Sequence, residues 1–196
     1  MMTKDDVLSA LAAARTDEVV VTTMGMVRPW ARHSTHPLDF ASADSAMGHA
    51  ADLALGIALA DEGRRVICLN GDGSMLMSLG TLMVAVEQRA RNFVLFVSQN
   101  ESYEITGNQP IPGAHVVDFT LLARGAGFTS VHAFDDAAAY RRALPPVLAA
   151  PGPTLVVVKT EKGDERPLSR GPQEEAAYLQ TSLPDAARAL RAALLG

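Results

Sequence analysis

Apolar residues along the chain fall into two alternating patterns. Short runs rich in β-branched residues read as buried strands: Val19-Val20-Val21, RRVICLNG (64–71), NFVLFVS (92–98) and PTLVVVKT (153–160). Between them, longer stretches carry apolar residues at helical spacing. These are SAMGHAADLALGIALADEG (45–63), SMLMSLGTLMVAVEQRA (74–90), VDFTLLARGAG (117–127) and DDAAAYRRALPPVLAA (135–150), with a break at Pro145-Pro146 left open. Thr3, followed by Asp5 and Asp6, has the form of an N-cap for a first helix through about Ala14. RPWARHSTHPLD (28–39) reads as a loop, 161–184 as loop-like, and LPDAARALRAALLG (183–196) as a terminal helix. Strands alternating with helices imply an α/β fold, a mostly parallel sheet covered on both faces in three α/β/α layers. No internal repeat or low-complexity linker interrupts the pattern. A single domain over 1–196, with a C-terminal extension from about 161, is expected.

Composition narrows the function classes. The chain of 196 residues is long enough for one well-cored domain. Its formal charge of −5, with no Lys/Arg block, argues against a nucleic-acid or anionic-membrane surface. One cysteine, Cys68, excludes an internal disulfide and a cysteine-ligated cluster in this chain. The first residues lack a basic region followed by an uninterrupted apolar core, and no stretch approaches eighteen apolar residues. A cytoplasmic protein is the expectation.

The candidate chemistry lies at NGDGSMLMSLGTL (70–82). Gly71-Asp72-Gly73 ends a strand and opens a helix, and ligands of a parallel sheet sit outside the carboxyl ends of its strands. The N–H groups of Gly73 and Ser74 are expected to face an anion there, favoured by the helix dipole. Asp72 beside an anion makes sense if a hard cation such as Mg²⁺ joins carboxylate to diphosphate. On GDG alone, a plain turn with a solvated Asp72 is the stronger account. The next strand ends at Asn100, after residues 74 to 99. That is about the length of one helix, a turn and a strand, so Asn100 should arrive beside Asp72 and offer an amide oxygen.

GDG, a helix-plus-strand gap and then Asn resembles the cofactor motif of thiamine diphosphate enzymes. The resemblance implies Asp72, Asn100 and the main-chain carbonyl of Ser102 as metal ligands, with Glu101 where a second Asn often stands. SAMG resembles the segment that shapes the bent cofactor, implying main-chain contacts at Ser45 and Met47 beside Gly48, with the Met47 side chain wedged under the bend. Met24-Gly25-Met26 resembles a loop that contacts the diphosphate, which adds Gly25 and Met26. NESYEITGNQP (100–110) is similar to the corresponding segment of sulfopyruvate and phosphonopyruvate decarboxylases. Tyr103, Thr106, Gly107, Gln109 and Pro110 match; Glu104 replaces a small residue and Ile105 a serine. Over residues 3 to 160 the chain looks like the pyrophosphate-binding domain of that family, most like a sulfopyruvate decarboxylase β subunit or the C-terminal part of a phosphonopyruvate decarboxylase.

That resemblance implies thiamine diphosphate and Mg²⁺ as cofactors and loss of CO₂ from a 2-oxo acid. Carboligation of the acetolactate synthase type and a non-catalytic cofactor-binding subunit are the alternatives. In the family a glutamate from a second, pyrimidine-binding domain activates the cofactor. No motif for it occurs here, and neither Glu18 nor Glu62 is placed like it. A partner subunit, in an α₂β₂ or larger assembly, is therefore expected. No catalytic side chain of this chain is certain. His33 and His36, near Arg28 and Arg32, are candidates for binding a substrate carboxylate or moving a proton, although a solvated or subunit-facing loop weighs more. His49 after SAMG is a third candidate. Asp52, in an otherwise apolar helix, should need a partner if it is buried. His115 and His132 read as structural or surface residues.

Overall fold

A computed structural model describes residues 1–42 and 47–196. The elements, in chain order, are α1 (Lys4–Ala14), β1 (Val19–Thr22), α2 (Met24–Ala31), β2 (Asp39–Ala41), α3 (Ala50–Ala60), β3 (Val66–Gly71), α4 (Asp72–Met77), α5 (Gly80–Glu87), β4 (Phe93–Gln99), β5 (Ser102–Tyr103), β6 (Gln109–Pro110), α6 (Phe119–Ala126), β7 (Ser130–Phe134), α7 (Ala137–Ala149), β8 (Thr154–Lys159) and α8 (Leu183–Leu195). Six strands form a parallel sheet in the order β2-β1-β3-β4-β8-β7, and β5 and β6 make a small antiparallel pair.

Successive strand residues serve opposite faces. Val19, Val21, Cys68, Leu95 and Val157 pack with α3, α5, α6 and α8, while Val20, Ile67, Leu69, Phe96 and Val158 pack with α1, α2 and α7. Strands buried on both sides lose the polar alternation of a half-exposed sheet, so they read as continuous apolar runs. The result is the expected three-layer α/β/α architecture.

Several local expectations need correction. The stretch 28–39 is not a loop: Arg28 to Ala31 complete α2, and β2 begins at Asp39. Trp30, fully buried, anchors that helix and donates to Asp39 Oδ1 at 2.9 Å. Pro29 obscured the helix in the sequence. The segment 74–90 is two helices. Ser78 leaves helical geometry and donates its hydroxyl to the Gly48 carbonyl at 2.5 Å, binding the turn at Met47 and Gly48 to the end of α4. The preceding helix starts at Ala50, because Gly48 sits in the left-handed region at φ +87°. A Cβ there would lie 2.5 Å from Met77 Cβ. Helix α7 runs unbroken through Pro145 and Pro146, with Tyr140, Leu144, Val147 and Leu148 buried along its length. The edge strand β7 is only half-buried and gave no apolar run to detect.

The capping box at Thr3 and Asp6 forms as expected. Beyond β8, Ala176 and Leu179 pack against Val27 and Ala41, and Arg170 donates to the Ala41 carbonyl at 2.8 Å. The extension thus lies along β2 at the end of the sheet. No helix among the described residues is long and apolar enough to cross a membrane.

Candidate functional site

The sheet order places β1, β3 and β4 side by side, so the loops at their carboxyl ends converge. Gly71 pairs in register with Ser98, which puts GDG next to the turn that follows β4. The cleft between these loops is lined by Gly25, Met47, Asp72, Ser74, Asn100 and Tyr103, among others.

Asp72 is the centre of the site. It is 1% exposed and opens α4 directly from β3. Its Oδ2 accepts the Glu101 N–H at 2.6 Å and its Oδ1 accepts the Gly73 N–H at 2.8 Å. Burial pushes its carboxyl above the usual range, and hydrogen bonds from the main chain at Glu101, Gly73 and Asn100 pull the other way. Among the described residues no lysine or arginine pairs with it. A buried carboxylate without a counter-charge is costly unless a cation completes it.

The neighbouring donors suit a hard cation. Asn100 is 9% exposed and Ser102 5%. The Asn100 amide oxygen accepts the Ser102 N–H at 3.0 Å, so amide and turn are held as one unit. Asp72 oxygen, Asn100 oxygen and the Ser102 main-chain carbonyl are the ligand types Mg²⁺ takes. No cluster of three or more His, Cys, Asp or Glu able to hold a metal occurs among the described residues. A cation here would depend on amide and carbonyl oxygens as well as the carboxylate. The place of a Cβ on Gly71 is free of atoms within 4 Å, so the wall is open where an anion would approach. The donor set and the open wall fit a metal-linked diphosphate.

Backbone strain is stored at the same point. Glu101 has φ +61°, a region side-chain-bearing residues adopt rarely, and that conformation aims its N–H at Asp72. The Gly73 N–H, expected to face an anion, is instead turned onto Asp72 Oδ1, because the adjacent carboxylate is within its reach. Gly73 has a different requirement: a Cβ there would lie 2.5 Å from Tyr103 Cε1 and 3.1 Å from Ile111 Cγ2.

Gly25, Met26, Met47, Gly48, Gly71, Asp72, Gly73, Ser74, Asn100, Ser102 and Tyr103 all line the cleft. Ser45 lies outside the described residues. Met24 to Met26 form the start of α2 rather than a loop, and Thr23 just before them donates to Ser74 Oγ at 3.3 Å. Met47 is 61% exposed, so it is not a core residue of α3.

The histidine candidates do not reach the cleft. His33 hydrogen-bonds Asp5 at 2.8 Å, and His36 stands before the amino end of β2, where its Nδ1 lies 3.2 Å from Arg15 Nη2. His49 lines a neighbouring depression between α3 and α5, with Leu59, Met77 and Val84. Asp52 is 40% exposed rather than buried; it pairs with His49 and accepts from Thr81 Oγ1. His132 stacks on Phe134, and His115 is exposed. Among the lining residues that the sequence reading missed are Lys4 and Glu104, which pair at 2.6 Å across one hundred positions of chain. Local pattern holds no signal for such a pair.

Residues 18–158 match the family described as thiamine pyrophosphate enzyme, C-terminal TPP binding domain. The chain is 34% identical over 137 residues to the sulfopyruvate decarboxylase subunit beta of Methanothermobacter thermautotrophicus, covering 69% of this chain and 72% of that one. It is 37% identical over 125 residues to the phosphonopyruvate decarboxylase of Streptomyces viridochromogenes, covering 64% of this chain but 31% of that protein. The benzoylformate decarboxylase of Polynucleobacter necessarius superposes with a TM-score of 0.72 at 23% identity, over 84% of this chain and 34% of the other, and shares the fold.

Two substitutions separate chemistry from packing. Asp72→Ala is expected to abolish Mg²⁺-dependent retention of thiamine diphosphate, measured by equilibrium dialysis with and without chelator, while leaving the chain folded. Equal retention by parent and variant would remove Asp72 from the site. Gly73→Ala should lower unfolding free energy by about 2 kcal/mol in urea titration, because the methyl group collides with the Tyr103 ring.

Proposed function

The chain belongs to the thiamine pyrophosphate enzyme family, and from that membership we propose that it is the diphosphate-binding subunit of a Mg²⁺-dependent 2-oxo acid decarboxylase. The observation that carries this reading is Asp72, a buried carboxylate without a counter-ion, beside Asn100 at the carboxyl ends of adjacent strands. The decarboxylases among its relatives support a small 2-oxo acid carrying a second anionic group as substrate. Residues 1–196 act as one pyrophosphate-type domain, in the cytoplasm.

Thiamine diphosphate, when bound, supplies the electron sink that accepts the pair released as CO₂ leaves. Everything else asked of this chain is binding and placement. Asp72, Asn100 and the Ser102 carbonyl would hold Mg²⁺. Gly25, Met26 and Ser74 border the diphosphate end of the cleft. Met47, in the turn that Ser78 secures, lines the cleft and would pack against the bound cofactor. Holding the reacting parts in one geometry is worth several orders of magnitude in rate.

A partner subunit completes the site. Among the described residues, the acids lining the cleft are Asp72 and Glu104. Glu104 is already engaged by Lys4, Asn100 and the Glu165 N–H. Glu18 precedes the amino end of β1, away from the cleft, and Glu62 is exposed. The activating glutamate is therefore assigned to another polypeptide, as the "subunit beta" relative also suggests. Beside the cleft, Met47, Leu59, Met77, Met83 and Val84 are all at least 37% exposed on the α3–α5 side. An apolar face of that kind suits a protein partner.

Purified alone and supplied with thiamine diphosphate and Mg²⁺, the chain should release no CO₂ from 2-oxo acids. Activity should appear on mixing with a second subunit that carries the pyrimidine-binding domain. Met83→Glu should raise the partner concentration needed for half-maximal activity at least tenfold. Robust turnover by the homogeneous chain would overturn the two-subunit reading, and an acyloin product in place of an aldehyde would redirect it to carboligation.

A further inference from the structure

Asn100 can serve as a metal ligand only if its amide oxygen, not its nitrogen, faces the cation. Two hydrogen bonds of opposite sense fix that choice. Oδ1 accepts the Ser102 N–H at 3.0 Å, and Nδ2 donates to Glu104 Oε2 at 2.9 Å. Turning the amide over would set oxygen against carboxylate and NH₂ against N–H. The Ser102 contact is part of the turn itself. The Glu104 contact comes from a side chain that stands where the resembled sequence has a small residue.

Glu104 is itself held on every side. Its side chain is 4% exposed. Oε2 receives Lys4 Nζ at 2.6 Å as well as Asn100, and Oε1 accepts the Glu165 N–H at 3.2 Å. Lys4, the first residue of α1 and 12% exposed, also donates to the Gly25 carbonyl at 3.1 Å. That carbonyl has no helical partner four residues on, because the residue there is Pro29. One chain of contacts thus runs from the start of α1 and the start of α2, through Lys4 and Glu104, to Asn100.

We infer that Glu104, charge-balanced by Lys4, is a positioning residue that locks the Asn100 amide with its oxygen toward the cation. The inference rests on the metal site proposed above. It is a supporting shell of the kind whose loss typically weakens metal affinity by 10–100-fold. A bare staple joining α1 to residues 163–165 would need the same ion pair but would leave metal affinity alone.

The test is Mn²⁺ titration of the full chain with thiamine diphosphate present, following free Mn²⁺ by electron paramagnetic resonance, alongside the thermal midpoint without metal. Glu104→Ala should raise the Mn²⁺ dissociation constant at least tenfold. Glu104→Gln should stay within about threefold of the parent, because its amide oxygen can occupy the Oε2 position and accept from both Asn100 and Lys4. Only the Glu165 N–H loses its acceptor. If Glu104→Ala fails to fold, the pair Lys4→Met with Glu104→Leu removes both charges at similar volume, which buried ion pairs commonly tolerate. It should show the same loss, and Lys4→Met with Glu104→Gln should restore affinity. Lower midpoints with unchanged Mn²⁺ affinity, or equal losses in Ala and Gln, would overturn the positioning role. No saturable Mn²⁺ binding by the parent would overturn the metal site itself.

Discussion

Asp72 is a carboxylate taken out of water, and among the described residues main-chain N–H groups are its hydrogen-bond donors. Neutral donors compensate a buried charge incompletely, and the raised proton affinity of Asp72 reflects that shortfall. Much of the surrounding structure is arranged around this group. Glu101 accepts a left-handed backbone to reach it, Gly73 forgoes a side chain so that Tyr103 can pack beside it, and Asn100 is oriented next to it. A divalent cation is the simplest completion of such a site, and a diphosphate the natural counterpart of the cation.

The fold delivers these groups without requiring long-range accuracy of any loop. Parallel strands share one carboxyl edge, and the order β1-β3-β4 makes three loops neighbours. Register pairing of Gly71 with Ser98 then brings Asp72 to the turn at Asn100, although β2 separates β1 from β3 along the chain. The surrounding helices supply rigid walls, and Ser78 ties the turn at Met47 and Gly48 to the end of α4. Among the described residues that edge supplies no free acid, and on its α3–α5 side the chain presents exposed methionines and aliphatic residues. An open cleft with an apolar flank is what one half of a shared site should look like.

Much of this was legible in the sequence, for local reasons. The buried strands announced themselves as apolar runs, and GDG and Asn100 lie at strand ends whose spacing is set by helix and strand geometry. Contacts made by residues near in sequence, such as the Thr3 cap, were equally readable. Less could be read where tertiary packing overrides local preference. Pro29 suggested a loop, yet Trp30 burial holds α2 together; Ser78 splits a continuous helical pattern by bonding to a distant carbonyl. The histidines looked chemical because they cluster near arginines, but two of them sit with Asp5 and Arg15 away from the cleft. Lys4 and Glu104 meet through the fold alone, and no spacing rule could have joined them.

Asp72 and Asn100 are expected to share one divalent cation. Crystals of the chain grown with Mn²⁺ and thiamine diphosphate, with data collected near the manganese edge, test it most directly. An anomalous peak is expected within coordination distance of both an Asp72 carboxylate oxygen and Asn100 Oδ1, with diphosphate density beside it. Diphosphate density in the cleft with no anomalous peak between Asp72 and Asn100, or a peak ligated elsewhere, would contradict it.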